Sequence, residues 1–195
     1  MNHRRAFKAM LVALSLIALA DLSSARQNRQ NQSESFYEQA VAYANEHRWT
    51  EAVEACKRAI QARRDYPEAY DRLGAAYTFL GRYRDAAKAF KKAVEIKPDY
   101  LEAGFHLGLT YEKLERYEEA VEAYKAVTRI KSDHVEARLR LANSYLKLGN
   151  KGMALREYDA LKKLDPNVAR HLFEQIYFLK ANESNAASEG EGLIQ

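Results

Sequence analysis

Histidine and cysteine are common metal ligands, and both can also act as bases or nucleophiles. The histidines beyond the first few residues are His47, His106, His134 and His171, and the single cysteine is Cys56. The histidines lack the paired spacing of a metal site, and neither a Gly-rich phosphate loop nor a nucleophile with its base accompanies them. One cysteine can form neither an internal disulfide nor a multi-cysteine zinc site, so we expect a small buried hydrophobe, with a reactive thiol as the alternative. These residues predict a protein that is not an enzyme and uses no metal or cofactor.

Charged side chains at a fixed interval offer a second kind of chemistry, the binding of acidic groups. Arg72, His106 and Arg140 are 34 residues apart, and Glu38 holds the equivalent place before them. If one surface carries all of them, the three basic or potentially basic groups could pair with acidic side chains or with a terminal carboxylate. Ordinary solvated charge is the alternative. In either case the interval points to a repeated structural element.

The composition favours helices and disfavours a nucleic-acid partner. Of 195 residues, 47% are hydrophobic and 30% charged, whereas only 8 are glycine and 3 are proline, so turns are few. Lysine and arginine number 31 against 27 aspartates and glutamates, which leaves a net charge of +4 spread over a mixed surface. We expect the partner to be a protein rather than a nucleic acid or a small-molecule substrate.

The amino terminus has the layout of a secretory signal. A basic start precedes an uncharged apolar run over 9–20, and a small-x-small motif ends at Ala25. The basic residues are Arg4, Arg5 and Lys8. The run has twelve residues, whereas a helix that crosses a bilayer needs about 20. We expect cleavage after Ala25 and export to the periplasm or out of the cell, with a retained short anchor as the alternative.

Beyond residue 32 the sequence repeats every 34 residues. Tyrosine occupies the eleventh place of each window and alanine the twentieth, and several further columns match. The tyrosines are Tyr43, Tyr77, Tyr111 and Tyr145, and the alanines are Ala52, Ala86, Ala120 and Ala154. The windows are 33–66, 67–100, 101–134 and 135–168.

Each window predicts two amphipathic helices that pack against each other. Leu73, Gly74 and Tyr77 lie on one face of a helix by their spacing, and Ala86 and Phe90 do the same for a second helix. Small residues stand where the helices approach closely, and aromatic residues fill the space between successive pairs. The predicted helices are 33–46, 50–62, 67–80, 83–96, 101–114, 118–130, 135–148 and 151–164.

These columns resemble the tetratricopeptide repeat in residue type, order and spacing. The second window reads Tyr70-x-x-Leu73-Gly74-x-x-Tyr77, followed by Ala86-x-x-x-Phe90 and Pro98. Windows three and four keep most of this pattern, and window one keeps the least. The resemblance implies an all-α fold, a right-handed superhelical solenoid of four helix-turn-helix repeats closed by a capping helix. The remaining assignments are the signal over 1–25, a disordered linker over 26–32, the capping helix over 169–181 and a disordered tail over 182–195.

The resemblance also implies where a partner would bind. Proteins similar to this one hold peptides or helices of other proteins in a concave groove that the first helix of each pair lines. Leu109 and Leu146, with Phe105 and Leu139, predict an apolar strip in that groove; packing against neighbouring first helices or under the cap is the alternative. The predicted groove residues are Tyr37, Val41, Arg72, Ala75, Thr78, Phe105, His106, Leu109, Leu139, Arg140, Asn143 and Leu146.

Together these features predict an exported, non-enzymatic scaffold that assists the assembly of a cell-envelope complex. The alternative is a chaperone-like helper subunit of a eukaryotic secretory pathway, in which the glycosylation sequons at Asn31 and Asn182 would be used. The carboxylate clamp of some relatives is not implied, because Tyr37 and Val41 stand at the corresponding places.

Overall fold

The structure, a computed structural model, describes the backbone of residues 3–177 and the side chains of residues 7, 19 and 21–177. Every regular element in that part of the chain is a helix. The elements are α1 (His3–Asn45), α2 (Trp49–Ala62), α3 (Pro67–Phe79), α4 (Tyr83–Ile96), α5 (Leu101–Lys113), α6 (Tyr117–Ile130), α7 (Val135–Lys147), α8 (Lys151–Leu164) and a further helix, α9, over 166–177. The tail over 182–195 lies outside the described residues.

The helices form antiparallel pairs that stack in chain order. Each helix from α1 to α8 packs against the next one, and α1 also contacts α3, as α3 contacts α5. Contacts therefore run between neighbouring repeats, as in a solenoid, and the first helices of successive pairs lie side by side. The all-α solenoid predicted from the repeats is confirmed.

Residues in left-handed conformation end the first helices of the pairs. Gly81 and Gly149, which follow α3 and α7, have φ values of 70° and 72°. His47 and Glu115 hold the equivalent places after α1 and α5, with φ values of 58° and 57°. Glycine adopts this conformation without strain, whereas a residue with a Cβ atom does so at a cost. The same turn is therefore kept at all four places although only two of them are glycine.

The core alternates the smallest side chains with aromatic rings. Gly74 faces the ring of Phe90, and a Cβ atom placed on Gly74 would lie 2.7 Å from that ring. Gly108 faces Tyr124 in the same manner in the next repeat, and the Tyr124 ring is fully buried. Because glycine leaves room for the ring of the second helix, the two helices of a pair approach closely. The sequence pattern predicted this use of both glycines.

The first helix is longer than the repeat requires. α1 has 43 residues and continues through 26–32, where the sequence predicted a disordered linker. These residues are polar but are good helix formers on the whole, and a side-chain hydrogen bond joins Gln27 Nε2 to Asn31 Oδ1 at 2.8 Å. All described side chains from 21 to 32 are exposed, and the buried part of α1 begins at Ser33, whose hydroxyl donates to the Ala59 carbonyl at 3.0 Å. None of the described helices is both long enough and apolar enough to span a membrane.

The helix α9 covers the last pair. Leu172 and Ile176 are fully buried on its inner face, against the cluster that includes Leu141 and Leu161. The sequence predicted a capping helix over 169–181, and the described helix covers 166–177. Residues 178–181 lie outside the described part of the chain.

Candidate partner-binding groove

A large concavity runs along the first helices. Its volume is about 980 Å³, and most of its lining comes from α3, α5 and α7, with additions from α4, the start of α6, and α9. The lining residues are Ala75, Thr78, Phe79, Phe90, His106, Leu109, Thr110, Glu112, Lys113, Tyr117, Arg140, Asn143, Ser144, Leu146, Lys147 and Gln175. We call this concavity the groove.

Seven of the twelve predicted groove residues line this concavity. The structure brings together Ala75, Thr78, His106, Leu109, Arg140, Asn143 and Leu146. The other predicted residues, Tyr37, Val41, Arg72, Phe105 and Leu139, are half-buried outside it. Of the helices that carry predicted groove residues, α3, α5 and α7 therefore line the cavity and α1 does not.

Phe105 and Leu139 belong to the packing between repeats. Both pack against the core cluster of the third and fourth repeats. The Phe105 ring stacks on His134 with centroids 5.3 Å apart and tilts against Tyr124 at 5.8 Å. Of the predicted apolar strip, only Leu109 and Leu146 line the groove.

Tyr37 and Arg72, which were predicted from the first two repeats, are half-buried. Tyr37 packs against Tyr66 with ring centroids 5.2 Å apart. Arg72 is half-buried, and its Nε is a buried atom without a hydrogen-bond partner among the described residues. Neither residue lines the groove.

The predicted basic column is largely neutralised within the protein. Arg140 Nη1 lies 3.3 Å from Glu112 Oε2, and Arg140 Nη2 lies 3.8 Å from Glu136 Oε1. His106 Nδ1 lies 3.2 Å from Asp71 Oδ1, whose side chain is mostly buried. The guanidinium of Arg140 therefore already faces two carboxylates, and His106 already has one polar partner.

Two lysines that the sequence analysis did not select supply the unpaired charge of the groove. Lys113 and Lys147 are the last residues of α5 and α7, and both are exposed. Among the residues that the structure describes, no carboxylate lies within ion-pair distance of either ammonium; the closest ion pairs of the groove involve Arg140 and His106. Both lysines occupy the thirteenth place of their windows, so the 34-residue interval was the signal that could have found them.

The hydroxyl groups of the groove donate to their own helices. Thr78 Oγ1 donates to the Gly74 carbonyl at 3.0 Å, and Thr110 Oγ1 donates to the His106 carbonyl at 2.7 Å. Ser144 Oγ makes the same kind of bond at 2.9 Å. Each of these hydroxyls donates to the carbonyl four residues earlier in its own helix, so none of them is left as a donor for a ligand.

An exposed aromatic ring lies at one end of the groove. Phe79 lines the groove with 66% of its surface exposed, and it stacks on Trp49 with ring centroids 4.0 Å apart and planes 4° from parallel. Trp49 begins α2 and so holds the Phe79 ring from the preceding repeat. Large exposed aromatic side chains of this kind are typical anchors of protein interfaces.

Metal-ligating clusters and the cysteine thiol are the remaining chemical features of the described residues. No group of three or more His, Cys, Asp or Glu residues within the described range could hold a metal ion. Burial raises the pKa of the Cys56 thiol to about 12, so it stays protonated at neutral pH. Burial, followed by the charge of Glu112, also raises the pKa of Tyr124. The buried position of Cys56 agrees with its reading as a small hydrophobe.

Comparisons with known proteins agree with the helical repeats. The family model of the tetratricopeptide repeat protein 21 C-terminal ARM domain matches residues 8–141, and a tetratricopeptide repeat model matches residues 111–172. No curated protein sequence matches the chain significantly.

Solved structures show the same fold. The crystal structure of MamA is 23% identical, with a TM-score of 0.66 over 72% of this chain and 82% of that one. YrrB, described as a tetratricopeptide repeat protein with an unusual peptide-binding site, is 21% identical, with a TM-score of 0.65 over 83% of this chain and 88% of that one. The first repeat domain of Spaghetti, bound to an HSP90 peptide, is 21% identical, with a TM-score of 0.59 over 62% of this chain and 95% of that one. The family model that covers more than half of the sequence, together with the stacked helix pairs, shows that the chain belongs to the tetratricopeptide repeat family.

Proposed function

We propose that this protein is an exported, non-enzymatic scaffold that holds a peptide or helix of a partner protein in the groove and assists the assembly of a cell-envelope complex. The family and the fold support a role in protein interaction. One structural neighbour is described as bound to a peptide and another as having a peptide-binding site, which supports a ligand of the same kind here.

The observation that carries the proposal is the groove itself. Its volume of about 980 Å³ is at the upper end of the range for small-molecule pockets, which is roughly 300 to 1,000 Å³. It is also open along three successive first helices, so a chain segment can enter it lengthwise. Leu109, Leu146 and Phe79 offer apolar contact area in its lining. Concave sites lined by apolar side chains with a few polar groups are typical binding sites.

A paired replacement of groove leucines tests the binding role. We expect Leu109→Ala with Leu146→Ala to weaken capture of the partner by more than about 2 kcal/mol, as for truncated anchor residues. The matched control is Ile130→Ala with Leu164→Ala, which removes two exposed apolar side chains outside the groove. Each variant is used as bait for proteins extracted from the cell envelope, and its melting temperature is recorded alongside. Equal capture by the groove variant and the control would contradict the binding role.

Export is supported by the amino-terminal sequence alone. The basic start, the short apolar run over 9–20 and the motif ending at Ala25 form the layout of a signal. Cleavage there would leave Arg26 as the first residue, seven residues ahead of the buried Ser33. Amino-terminal sequencing of the protein released by osmotic shock should begin at Arg26, and an intact Met1 in that fraction would contradict the proposal.

The structure does not favour the eukaryotic secretory alternative. Asn31 lies inside α1 rather than in a loop, and its side-chain oxygen accepts a hydrogen bond from Gln27. Ser33, the hydroxyl residue of the same sequon, is fully buried. Glycosylation acceptors lie on accessible surface segments, so this sequon is poorly placed for modification. Asn182 lies outside the described residues.

A further inference from the structure

We infer that the groove takes an acidic segment with apolar anchors, its carboxylates lying over Lys113 and Lys147. The inference rests on the proposed peptide-binding function and specifies the chemistry of the partner.

The charge of the groove is the first support. Its lining contains three permanently cationic side chains and one anionic side chain, Glu112. Glu112 Oε2 lies 3.3 Å from Arg140 Nη1, so these two charges offset each other, while Glu112 Oε1 is buried without a hydrogen-bond partner among the described residues. Lys113 and Lys147 are left as the charges without a partner in the described lining. Complementary charge on a ligand would steer it to this surface and fix its register.

The hydrogen-bonding groups of the groove also favour an acidic ligand. Because the hydroxyls of Thr78, Thr110 and Ser144 donate within their own helices, the side-chain donors left for a ligand are mainly the two ammonium groups and the amides of Asn143 and Gln175. Ionised ammonium groups cannot accept hydrogen bonds. The two ammonium groups therefore favour acceptors on the ligand, and a carboxylate is the strongest acceptor that a peptide side chain offers. Glu112 Oε1, a lining acceptor without a partner among the described residues, leaves a place for one donor of the same ligand.

The apolar lining defines the rest of the ligand. Leu109 and Leu146 precede Lys113 and Lys147 on α5 and α7, and Phe79 holds the equivalent last position of α3, so the apolar side chains adjoin the lysines. A wholly acidic segment would leave the leucine side chains without apolar contacts. A segment that alternates carboxylates with leucine or phenylalanine would bury them. Burial of an apolar anchor supplies affinity, and the charges supply selectivity.

The basic amino terminus does not fit this groove. Arg4, Arg5 and Lys8 carry the same sign of charge as the free lysines of the groove. Like charges would oppose the insertion of this helix from a second copy. A separate acidic protein segment is the better match.

The test uses fluorescently labelled seven-residue peptide pools and the chain lacking residues 1–25, which leaves every buried residue of the repeats in place. One pool mixes Asp and Glu with Leu and Phe. A second replaces Asp and Glu by Asn and Gln, a third replaces them by Lys, and a fourth replaces Leu and Phe by Ser. Binding is read by anisotropy at two salt concentrations. We expect the acidic apolar pool to bind tightest and its affinity to fall with salt.

Lys113→Gln with Lys147→Gln should weaken binding of that pool roughly two- to thirty-fold, the loss expected for two exposed ion pairs. The matched control is Lys91→Gln with Lys125→Gln, which removes the same charge at the same 34-residue interval from exposed sites on α4 and α6. The control should bind as the parent does.

The outcomes separate the two claims. Equal binding of the acidic and amide pools, or an equal loss in both lysine pairs, would overturn the acidic specificity and leave a peptide groove of other chemistry. Binding of none of the four pools would overturn the peptide groove itself, and with it the proposed function.

Discussion

Replacing Gly108 by alanine should destabilise the protein, although alanine is the better helix former. A methyl group at this position would lie 2.6 Å from Cζ and 2.8 Å from Cδ1 of Tyr124. Carbon atoms pack at about 3.5 to 4.0 Å, so the ring would have to retreat by about 1 Å. The Tyr124 side chain is fully buried and cannot turn into solvent. Overpacking of this kind costs about 1 to 3 kcal/mol, and the better helix propensity of alanine returns up to about 1 kcal/mol. We expect a net loss of about 1 to 2 kcal/mol.

Gly152→Ala is the matched control, because nothing lies within 4 Å of a Cβ atom at that position. Gly152 is also helical, near the start of α8, so the substitution there should stabilise the protein by up to about 1 kcal/mol. Urea unfolding followed by circular dichroism gives both free energies of unfolding. If Gly108→Ala proved as stable as Gly152→Ala, the close approach of α5 and α6 at Tyr124 would be refuted.

Three further substitutions or reactions probe the packing of the repeats. Phe105→Ala should lower the free energy of unfolding by about 2 kcal/mol, about half the loss for a fully buried ring, because this ring is half-buried between repeats; an unchanged melting temperature would contradict that placement. Ser33→Ala removes the buried hydrogen bond to the Ala59 carbonyl and should cost about 1 kcal/mol in urea unfolding, whereas the exposed Ser35→Ala should cost close to nothing. Cys56, whose pKa burial raises to about 12, should react with a thiol reagent at pH 8 only after denaturation, and rapid labelling of the native protein would show that the thiol is accessible.

Most of the fold could be predicted from the 34-residue period of the sequence. The predicted first helices end at residues 80 and 148, one residue before Gly81 and Gly149, and the structure places both glycines in left-handed conformation after α3 and α7. Gly74 and Gly108 marked the close contacts with rings of the second helices. These features could be read from the sequence because a helical period fixes which residues share a face, and a turn of this type favours glycine.

The extent of the groove could not be read in the same way. A helical period assigns Phe105 and Leu109 to neighbouring parts of one face, but it does not say how far the next repeat covers that face. In the structure Phe105 and Leu139 pack against the core cluster of the third and fourth repeats, whereas Leu109 lines the groove. The pairing of Arg140 with Glu112 depends on the distance between two repeats, which no single window contains.

The extension of α1 was missed for a different reason. The polar composition of 26–32 suggested disorder, because it offers no apolar side chain to a core. A segment that continues an existing helix needs no new nucleus, so each added residue gains a backbone hydrogen bond at little cost. The helix therefore passes through 26–32 without any packing on its sides.

The most direct test of the central claim, that the groove holds a segment of a partner protein, is site-specific photo-crosslinking in the producing cells. A photoreactive amino acid is placed at Asn143 in the groove and, for comparison, at Lys125 on the exposed side of α6. Mass spectrometry then identifies the crosslinked segment. We predict that position 143 captures one partner through an acidic segment with apolar anchors, and that Leu109→Ala with Leu146→Ala abolishes the adduct. Capture of the same partner with equal yield from position 125, or an adduct at 143 that survives the double replacement, would contradict the account.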